Sequence, residues 1–187
     1  MLFLYDLQSP INIGLTLRAA EQFDDRVAIY DPRSILADPQ KAVTISDFSC
    51  GAFTRRAPQI VDSLAALRKT QSGRIIATSL DRHSIPLNEF DFREGDVILL
   101  GNEYDGLPAD VIQNADARLY IPLADVVVPK QKSQGTPIDP TRQAEVAQNG
   151  VPNLNVATAA AIISYARHVQ RMEEALSAPS HISQTAG

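Results

Sequence analysis

The stretch DVILLGNEYDGLP, residues 96–108, decides which fold this chain can take. The aliphatic run Val97–Leu100 is continuous, which is typical of a strand buried on both faces of a sheet. Pro108 then opens a short helix, predicted over residues 108–114. Between the two, Gly101 allows another group to approach the backbone closely, and Gly106 can adopt a positive φ. Polar residues at a strand exit predict a ligand site at the carboxyl edge of a parallel sheet.

Short apolar runs alternate with helical stretches on both sides of this segment. Further strands are predicted over residues 2–5, 26–30, 42–45, 74–79 and 119–123. Helices are predicted to begin at Pro10 and at Pro58, and a last helix runs from about Leu154 to Leu176. One apolar stripe of that last helix comprises Leu154, Ala157, Ala161, Tyr165, His168, Met172 and Leu176. The alternation predicts an α/β fold, a parallel sheet with helices on both faces.

Length and charge narrow the class of protein. The 187 residues favour one domain, or one domain with an appendage. The chain has 17 basic and 22 acidic residues, and no third of it has a basic surplus, so a nucleic-acid partner would need a local patch. Cys50 is the single cysteine, which excludes an intrachain disulfide, and the three histidines form no metal-ligand pair. We therefore expect no bound metal.

Targeting signals are not evident in the sequence. The apolar start Met1–Tyr5 is too short for a signal peptide, and no apolar run approaches the ~18 residues that a membrane helix needs. These features predict a cytoplasmic protein.

Two further polar stretches stand where a helix begins. Ser9-Pro10-Ile11-Asn12-Ile13-Gly14, with Arg18 beyond it, follows the first strand, and Asn153-Leu154-Asn155-Val156-Ala157 opens the last helix. Taken alone, each stretch fits a helix cap, with Arg18 as a solvated residue, better than it fits a functional site. The dinucleotide fingerprint, the phosphate-binding P-loop and the G-x-S-x-G nucleophile elbow are absent from the sequence.

The three stretches together, in this order, resemble the motifs of the SPOUT superfamily of RNA methyltransferases, in its SpoU–TrmH branch of 2′-O-ribose methyltransferases. The first motif of that branch matches Asn12, Gly14 and Arg18. The second matches Gly101-Asn102-Glu103-Tyr104-Asp105-Gly106-Leu107. The third matches Ile121-Pro122-Leu123 together with residues 153–157. The resemblance extends from Leu2 to about Tyr165.

The resemblance implies a fold and an activity that periodicity does not reveal. It implies a deep C-terminal trefoil knot, a homodimer in which each site uses the partner's first motif, and S-adenosylmethionine as cofactor. The implied reaction is methylation of a ribose 2′-hydroxyl in tRNA or rRNA. The implied catalytic residues are Arg18, which acts on the 2′-hydroxyl, with Asn12, Glu103 and Asn155 around it. The implied cofactor-binding residues are Leu100, Gly101, Asn102, Gly106, Ile121, Leu123, Asn153, Leu154 and Ala157.

The chain departs from the family pattern in two ways. Asn153 and Ala157 stand where the family has serines, and residues 124–152 form a long polar insert where the family has a short loop. We expect a single domain over residues 1–178 that contains this insert, followed by a flexible tail over residues 179–187. Candidates for contacts with RNA are Arg55, Arg56, Lys130, Lys132 and Arg142.

Two alternatives remain open from the sequence. The first is a catalytically silent SPOUT protein that binds RNA or cofactor, motivated by Ala157 and the insert. The second is an unrelated doubly wound α/β enzyme that acts on a nucleotide or a small substrate. The absence of phosphate-cradling glycines disfavours the second alternative.

Overall fold

A computed structural model describes residues 1–124 and 154–177. The predictions made for Asn153, Lys130, Lys132, Arg142, most of the insert and the tail lie outside the described residues. The elements in chain order are β1 Leu2–Tyr5, α1 Pro10–Gln22, β2 Val27–Tyr30, α2 Pro39–Phe48, α3 Ala52–Arg55, β3 Gln59–Ile60, α4 Leu64–Thr70, β4 Ile75–Thr78, β5 Ile85–Pro86, β6 Val97–Leu100, α5 Ala109–Gln113, β7 Ala117–Tyr120 and α6 Val156–Ser177.

The described strands form one parallel sheet in the order β3-β2-β1-β6-β4-β7-β5. Strand β1 lies inside the sheet, with Leu2 opposite Val27 of β2 on one side and opposite Ile98 of β6 on the other. The predicted parallel sheet is confirmed. Because β1 and β6 are neighbours and parallel, the polar stretches that follow them meet at the same edge of the sheet.

Helices cover both faces of the sheet, as predicted. Alternate residues of β1 point to opposite faces, so Leu2 and Leu4 belong to one buried cluster and Phe3 to the other. The first cluster includes Ile13 of α1 and Ile163 of α6. The second includes residues of α4 and α5, and the fully buried strands match the continuous apolar runs of the sequence.

Helix α1 packs closely against α2 because of Gly14. A Cβ at Gly14 would lie 2.8 Å from both the Ile45 carbonyl oxygen and the Phe48 Cβ. Any larger residue would therefore push the two helices apart. The glycine of the first motif thus positions α1 relative to α2, and its importance lies in packing.

Helix α6 is joined to the turn after α1 by a buried ion pair. The Arg167 guanidinium donates to the Asp25 carboxylate at 2.9 Å, and both side chains are buried. Arg171 lies 3.4 Å from the same carboxylate. Burial lowers the pKa of Arg167 below its ordinary value, and the negative charge of Asp25 opposes that shift.

The strand predicted over residues 42–45 is wrong, because that segment lies in α2. The Asp38 carboxylate accepts hydrogen bonds from the backbone N–H groups of Gln40 and Lys41, at 2.9 and 3.1 Å, and Pro39 occupies the first turn. These capping signals outweigh the β-branched residues that suggested a strand.

Two helix starts also differ from the prediction. The helix predicted from Pro58 begins at Leu64, where the Ser63 hydroxyl accepts from the Ala66 N–H at 3.0 Å, and Ile60 lies in β3. The last helix begins at Val156, two residues later than predicted.

The buried face of α6 is not the predicted stripe. The residues of α6 that are buried are Ala157, Ala160, Ile163, Ser164 and Arg167. Tyr165, Met172 and Leu176 of the predicted stripe are exposed. The apolar pattern could not reveal this face, since a buried arginine is part of it.

Candidate functional site

The loop between β6 and α5 is a compact turn held by its own side chain. The Asn102 Oδ1 accepts hydrogen bonds from the N–H groups of Tyr104 and Asp105, at 2.9 and 2.8 Å. The Gly106 N–H donates to the Asn102 carbonyl oxygen at 3.1 Å, and Gly106 has a φ of 69°. A Cβ at Gly101 would lie 2.2 Å from the Gly106 carbonyl carbon. Only glycine at position 101 permits this turn without a shift of backbone.

Glu103 ties this turn to the start of α1. Its carboxylate accepts from the backbone N–H groups of Gln8 and Ser9, at 3.1 and 3.2 Å. It also accepts from the Asn12 side-chain amide at 2.8 Å. A carboxylate at a helix N-terminus is stabilised by the exposed N–H groups and the helix dipole. Glu103 therefore fixes α1 against the loop that follows β6.

Asn155 extends the same network to α6. Its amide nitrogen donates to the Asn12 Oδ1 at 3.1 Å. Its Oδ1 accepts from the N–H groups of Ala157 and Thr158, at 2.9 and 3.2 Å, so Asn155 is the cap of α6. The chain Glu103–Asn12–Asn155 thus joins residues from all three predicted motifs at one edge of the sheet.

A cavity of about 500 Å³ lies beside this network, and we call it the motif cavity. Its volume falls within the range of small-molecule sites in proteins. The lining residues come from β4, the β6–α5 loop and the start of α6: Thr78, Leu100, Gly101, Asn102, Glu103, Tyr104, Asp105, Gly106, Leu107, Leu154, Asn155, Val156 and Ala159.

The family model of the SpoU rRNA Methylase family matches residues 1–128. This chain belongs to that family.

Relatives of this SpoU-family chain are similar in sequence and in fold. The chain is 30% identical over 133 residues to a tRNA (cytidine(34)-2′-O)-methyltransferase of Beijerinckia indica, covering 66% of this chain and 76% of the relative. A structure solved to study 2-OH methylation of C/U34 on tRNA is 24% identical with a TM-score of 0.68, covering 92% and 95% of the two chains. AviRb of Streptomyces viridochromogenes, solved with AdoMet, is 22% identical with a TM-score of 0.66, covering 91% of this chain and 57% of that chain.

The predicted cofactor residues of the SpoU motifs separate into two groups. Those that line the motif cavity are Leu100, Gly101, Asn102, Gly106 and Leu154. Three others do not line it: Ile121 packs against the core, Leu123 is exposed, and Ala157 is buried. Ala157, which stands where the family has a serine, is buried at the start of α6 and is not among the residues that line the motif cavity.

Arg18 lies on α1 but does not line the motif cavity. Asn12 of the same motif is buried, whereas Arg18 is exposed and has no hydrogen bond or ion pair to any residue that the structure describes. Leu15 lies three residues before Arg18 on the same helix face and is also exposed. Within the first SpoU motif, the Asn12 side chain is therefore buried and the Arg18 side chain is exposed.

Arg55 and Arg56 are both paired with carboxylates. Arg55 donates to Glu21 at 2.9 and 2.6 Å, and Arg56 donates to Asp24 at 2.6 Å. The hydrogen bond from Arg55 lowers the pKa of Glu21. Their charges are therefore balanced locally, and a contact of these arginines with RNA stays a prediction.

Several lining residues were missed by the sequence analysis. Thr78 ends β4 next to β6 in the sheet, and its hydroxyl donates to the Leu99 carbonyl oxygen at 2.8 Å. The sequence feature that could have identified Thr78 is its position near the carboxyl end of the strand predicted over residues 74–79. The other missed lining residues are Tyr104, Asp105, Leu107, Val156 and Ala159.

The described residues offer neither a metal site nor a membrane-spanning helix. Residues 1–124 and 154–177 contain no group of His, Cys, Asp and Glu side chains arranged to hold a metal ion. Within those same ranges, no helix has the length and apolar character to cross a membrane.

Proposed function

We propose that this chain transfers the methyl group of S-adenosylmethionine to a ribose 2′-hydroxyl of RNA, with tRNA as the favoured substrate. The observation that carries the proposal is the hydrogen-bond chain Glu103–Asn12–Asn155, which joins three SpoU motifs beside one cavity. The Beijerinckia relative is named for such a reaction on cytidine 34 of tRNA.

The residues of the motif cavity fit S-adenosylmethionine. Leu100, Leu107 and Val156 supply apolar walls for an adenine ring, and Thr78 and Asp105 supply polar groups for the ribose and the amino-acid portion. When bound, the cofactor supplies an activated methyl group on a positively charged sulfur. Residues 101–107 hold the walls in place, since the turn is fixed by Asn102 and by the close contact at Gly101.

Arg18 stabilises the reacting oxygen and does not remove its proton. Arginine stays protonated in proteins, so it is a poor general base. Its guanidinium holds an RNA phosphate by two parallel hydrogen bonds and lowers the energy of the alkoxide that develops at the 2′-oxygen. The proton leaves the 2′-oxygen for an oxygen of that phosphate. Glu103, Asn12 and Asn155 act by positioning α1 and α6 around the motif cavity.

The site is completed by a second copy of the chain. The exposed face of α1 carries Arg18 and Leu15, and Tyr165 of α6 packs edge-on to Phe23 next to it, at 5.7 Å between ring centroids. Apolar residues on an exposed helix face support a homodimer interface. In such a dimer each Arg18 reaches the partner's motif cavity, which explains why it does not line its own.

The remaining expectations about architecture are part of this proposal. We also propose that residues 1–178 form one SPOUT domain with the family's trefoil knot; the predicted insert over residues 124–152 and the predicted tail over residues 179–187 lie almost entirely outside the described residues. The support is that Asn155 returns the chain to the edge of the sheet where Asn12 lies. A cytoplasmic location stays a prediction.

Calorimetry and methyl transfer together test the proposal. We expect one S-adenosylmethionine to bind per chain, and radiolabelled methyl groups to enter bulk tRNA that lacks the modification. Saturable binding without transfer to tRNA or rRNA would instead support a catalytically silent SPOUT protein. Because Ala157 does not line the motif cavity, the loss of the family's serine at this position does not favour that outcome.

A further inference from the structure

A second cavity adjoins the motif cavity on the other side of Tyr104, whose side chain lines both. It has a volume of about 550 Å³ and lies where β1 and β2 end, between the start of α1 and α2; we call it the α2 cavity. Among its lining residues Tyr104 belongs to the second SpoU motif, but none of the residues predicted to be catalytic or cofactor-binding lines it. Its walls include Ile11 and Ile35, which are apolar, and two cations, Arg33 and Lys41.

The two cations differ in how far their charge is balanced. Arg33 donates two hydrogen bonds to the Asp6 carboxylate, at 2.8 and 3.1 Å, which raises the pKa of Arg33. The Lys41 Nζ has a much looser ion pair, 3.8 Å from the Asp38 Oδ2, and 42% of the Lys41 side chain is exposed.

The acidic groups near Lys41 are already occupied. The Asp38 carboxylate caps α2 through its hydrogen bonds to backbone N–H groups, and these lower the pKa of Asp38. The Asp31 carboxylate accepts from the N–H groups of Ile35 and Leu36, both at 2.9 Å. Lys41 is therefore the least balanced cation of the α2 cavity, in a chain with a net charge of −5.

We propose that the α2 cavity receives a nucleotide of the RNA substrate next to the methylated one, and that Lys41 binds its phosphate. This inference rests on the proposed function. An RNA strand that presents a 2′-hydroxyl at the motif cavity must also pass over the adjoining α2 cavity. The apolar residues and the Tyr104 ring offer a surface for a base or a ribose, and Lys41 supplies the charge that a phosphate requires.

Charge-removing variants of Lys41 test the inference. Lys41→Gln and Lys41→Glu are compared with Lys69→Gln, an exposed lysine of α4 against the opposite face of the sheet. The measurements are the Kd of fluorescently labelled bulk tRNA at several salt concentrations, the KM for tRNA in methyl transfer, and the calorimetric Kd of S-adenosylmethionine.

We expect Lys41→Gln to weaken tRNA binding about fivefold, and Lys41→Glu more. The slope of log K against log salt should fall by roughly 0.7–0.9, as for the loss of one phosphate contact. Cofactor affinity should not change, and Lys69→Gln should bind tRNA like the unmodified protein.

The failure of this inference can be told apart from failure of the proposed function. If the unmodified protein methylates tRNA and Lys41→Gln binds it within twofold of normal, the α2 cavity is not an RNA subsite and the function stands. An equal loss of cofactor affinity would also overturn the inference, because the α2 cavity would then belong to the cofactor site. Lys41-dependent tRNA binding without any methyl transfer would overturn the function alone, and no tRNA binding at all would overturn both.

Discussion

Gly101 shows how one residue controls the shape of the motif cavity. An added Cβ would meet the Gly106–Leu107 peptide at 2.2–2.5 Å, so Gly101→Ala must shift the backbone that forms the cavity wall. We predict that Gly101→Ala weakens S-adenosylmethionine binding at least tenfold in calorimetry. Gly106→Ala is the matched control: its Cβ would meet nothing within 4 Å, and its positive φ costs only about 1 kcal/mol of stability. Normal affinity in Gly101→Ala would contradict this account of the loop.

A second prediction for a single residue concerns Arg18. Arg18→Ala should reduce methyl transfer at least about 100-fold, since it removes the charge that stabilises the developing alkoxide. Cofactor affinity should stay within twofold, because the proposed partners of Arg18 are the RNA phosphate and the 2′-oxygen and not the cofactor. Arg93→Ala, at an exposed arginine before β6, serves as control and should be fully active. An active Arg18→Ala enzyme would refute the assigned role.

The motif residues could be predicted from the sequence, but their contacts could not. The resemblance identified Asn12, Glu103 and Asn155 as site residues. That Glu103 accepts from the backbone of Gln8 and Ser9 depends on β1 lying beside β6, and no local pattern encodes that neighbourhood. Thr78 was missed for the same reason, because a single threonine at the end of a strand has no motif around it.

At the scale of elements, capping and buried charge explain the predictions that were wrong. The segment 42–45 has the composition of a strand, but Asp38 and Pro39 start a helix before it. The stripe chosen for α6 followed apolar residues, whereas its buried face contains Arg167. Apolar periodicity identifies the buried face of a helix only where the buried side chains are apolar. The buried face of α6 includes Arg167, which pairs with Asp25.

The buried ion pair between α6 and the turn after α1 makes a measurable contribution to stability. Arg167→Met removes the cation at 2.9 Å and leaves the Asp25 carboxylate buried with only the more distant Arg171. We predict a loss of about 3 kcal/mol in the free energy of unfolding, measured by urea denaturation.

The matched control for that variant is Arg68→Met, which breaks the exposed pair with Asp116. Exposed pairs contribute little, so this loss should stay below about 1 kcal/mol. Equal losses in the two variants would show that the Arg167–Asp25 pair does not hold α6 in place.

At the scale of the molecule, the class of fold followed from the alternation of strands and helices, and the described sheet is parallel throughout. The order of its strands could not be derived from periodicity, because the inner strands β1, β4 and β6 are apolar on both faces and carry no register signal. The polar residues after β6 predicted a site at the carboxyl edge of the sheet, and the family resemblance assigned roles to its residues. The direction of Arg18, away from its own motif cavity, became visible only in three dimensions.

The proposed dimer predicts complementation between Arg18→Ala and Gly101→Ala at a cofactor concentration too low to occupy the site of Gly101→Ala. Arg18→Ala keeps an intact motif cavity, and Gly101→Ala keeps an intact Arg18. In a statistical 1:1 mixture, half of the dimers contain one of each variant and one complete site, so about a quarter of normal activity should return. Light scattering before and after mixing confirms that both variants form dimers. No recovery from dimeric variants would place Arg18 in the site of its own chain.

The central claim is that the motif cavity directs a methyl group to a ribose oxygen of tRNA. The most direct measurement is to incubate the protein with unmodified bulk tRNA and S-adenosylmethionine carrying a deuterated methyl group, and then to identify the labelled nucleosides by mass spectrometry. We predict that the label is lost with the sugar when the glycosidic bond is broken, as for a 2′-O-methylated nucleoside. A label that stays on the base, or cofactor binding with no labelled nucleoside in tRNA or rRNA, would contradict the account.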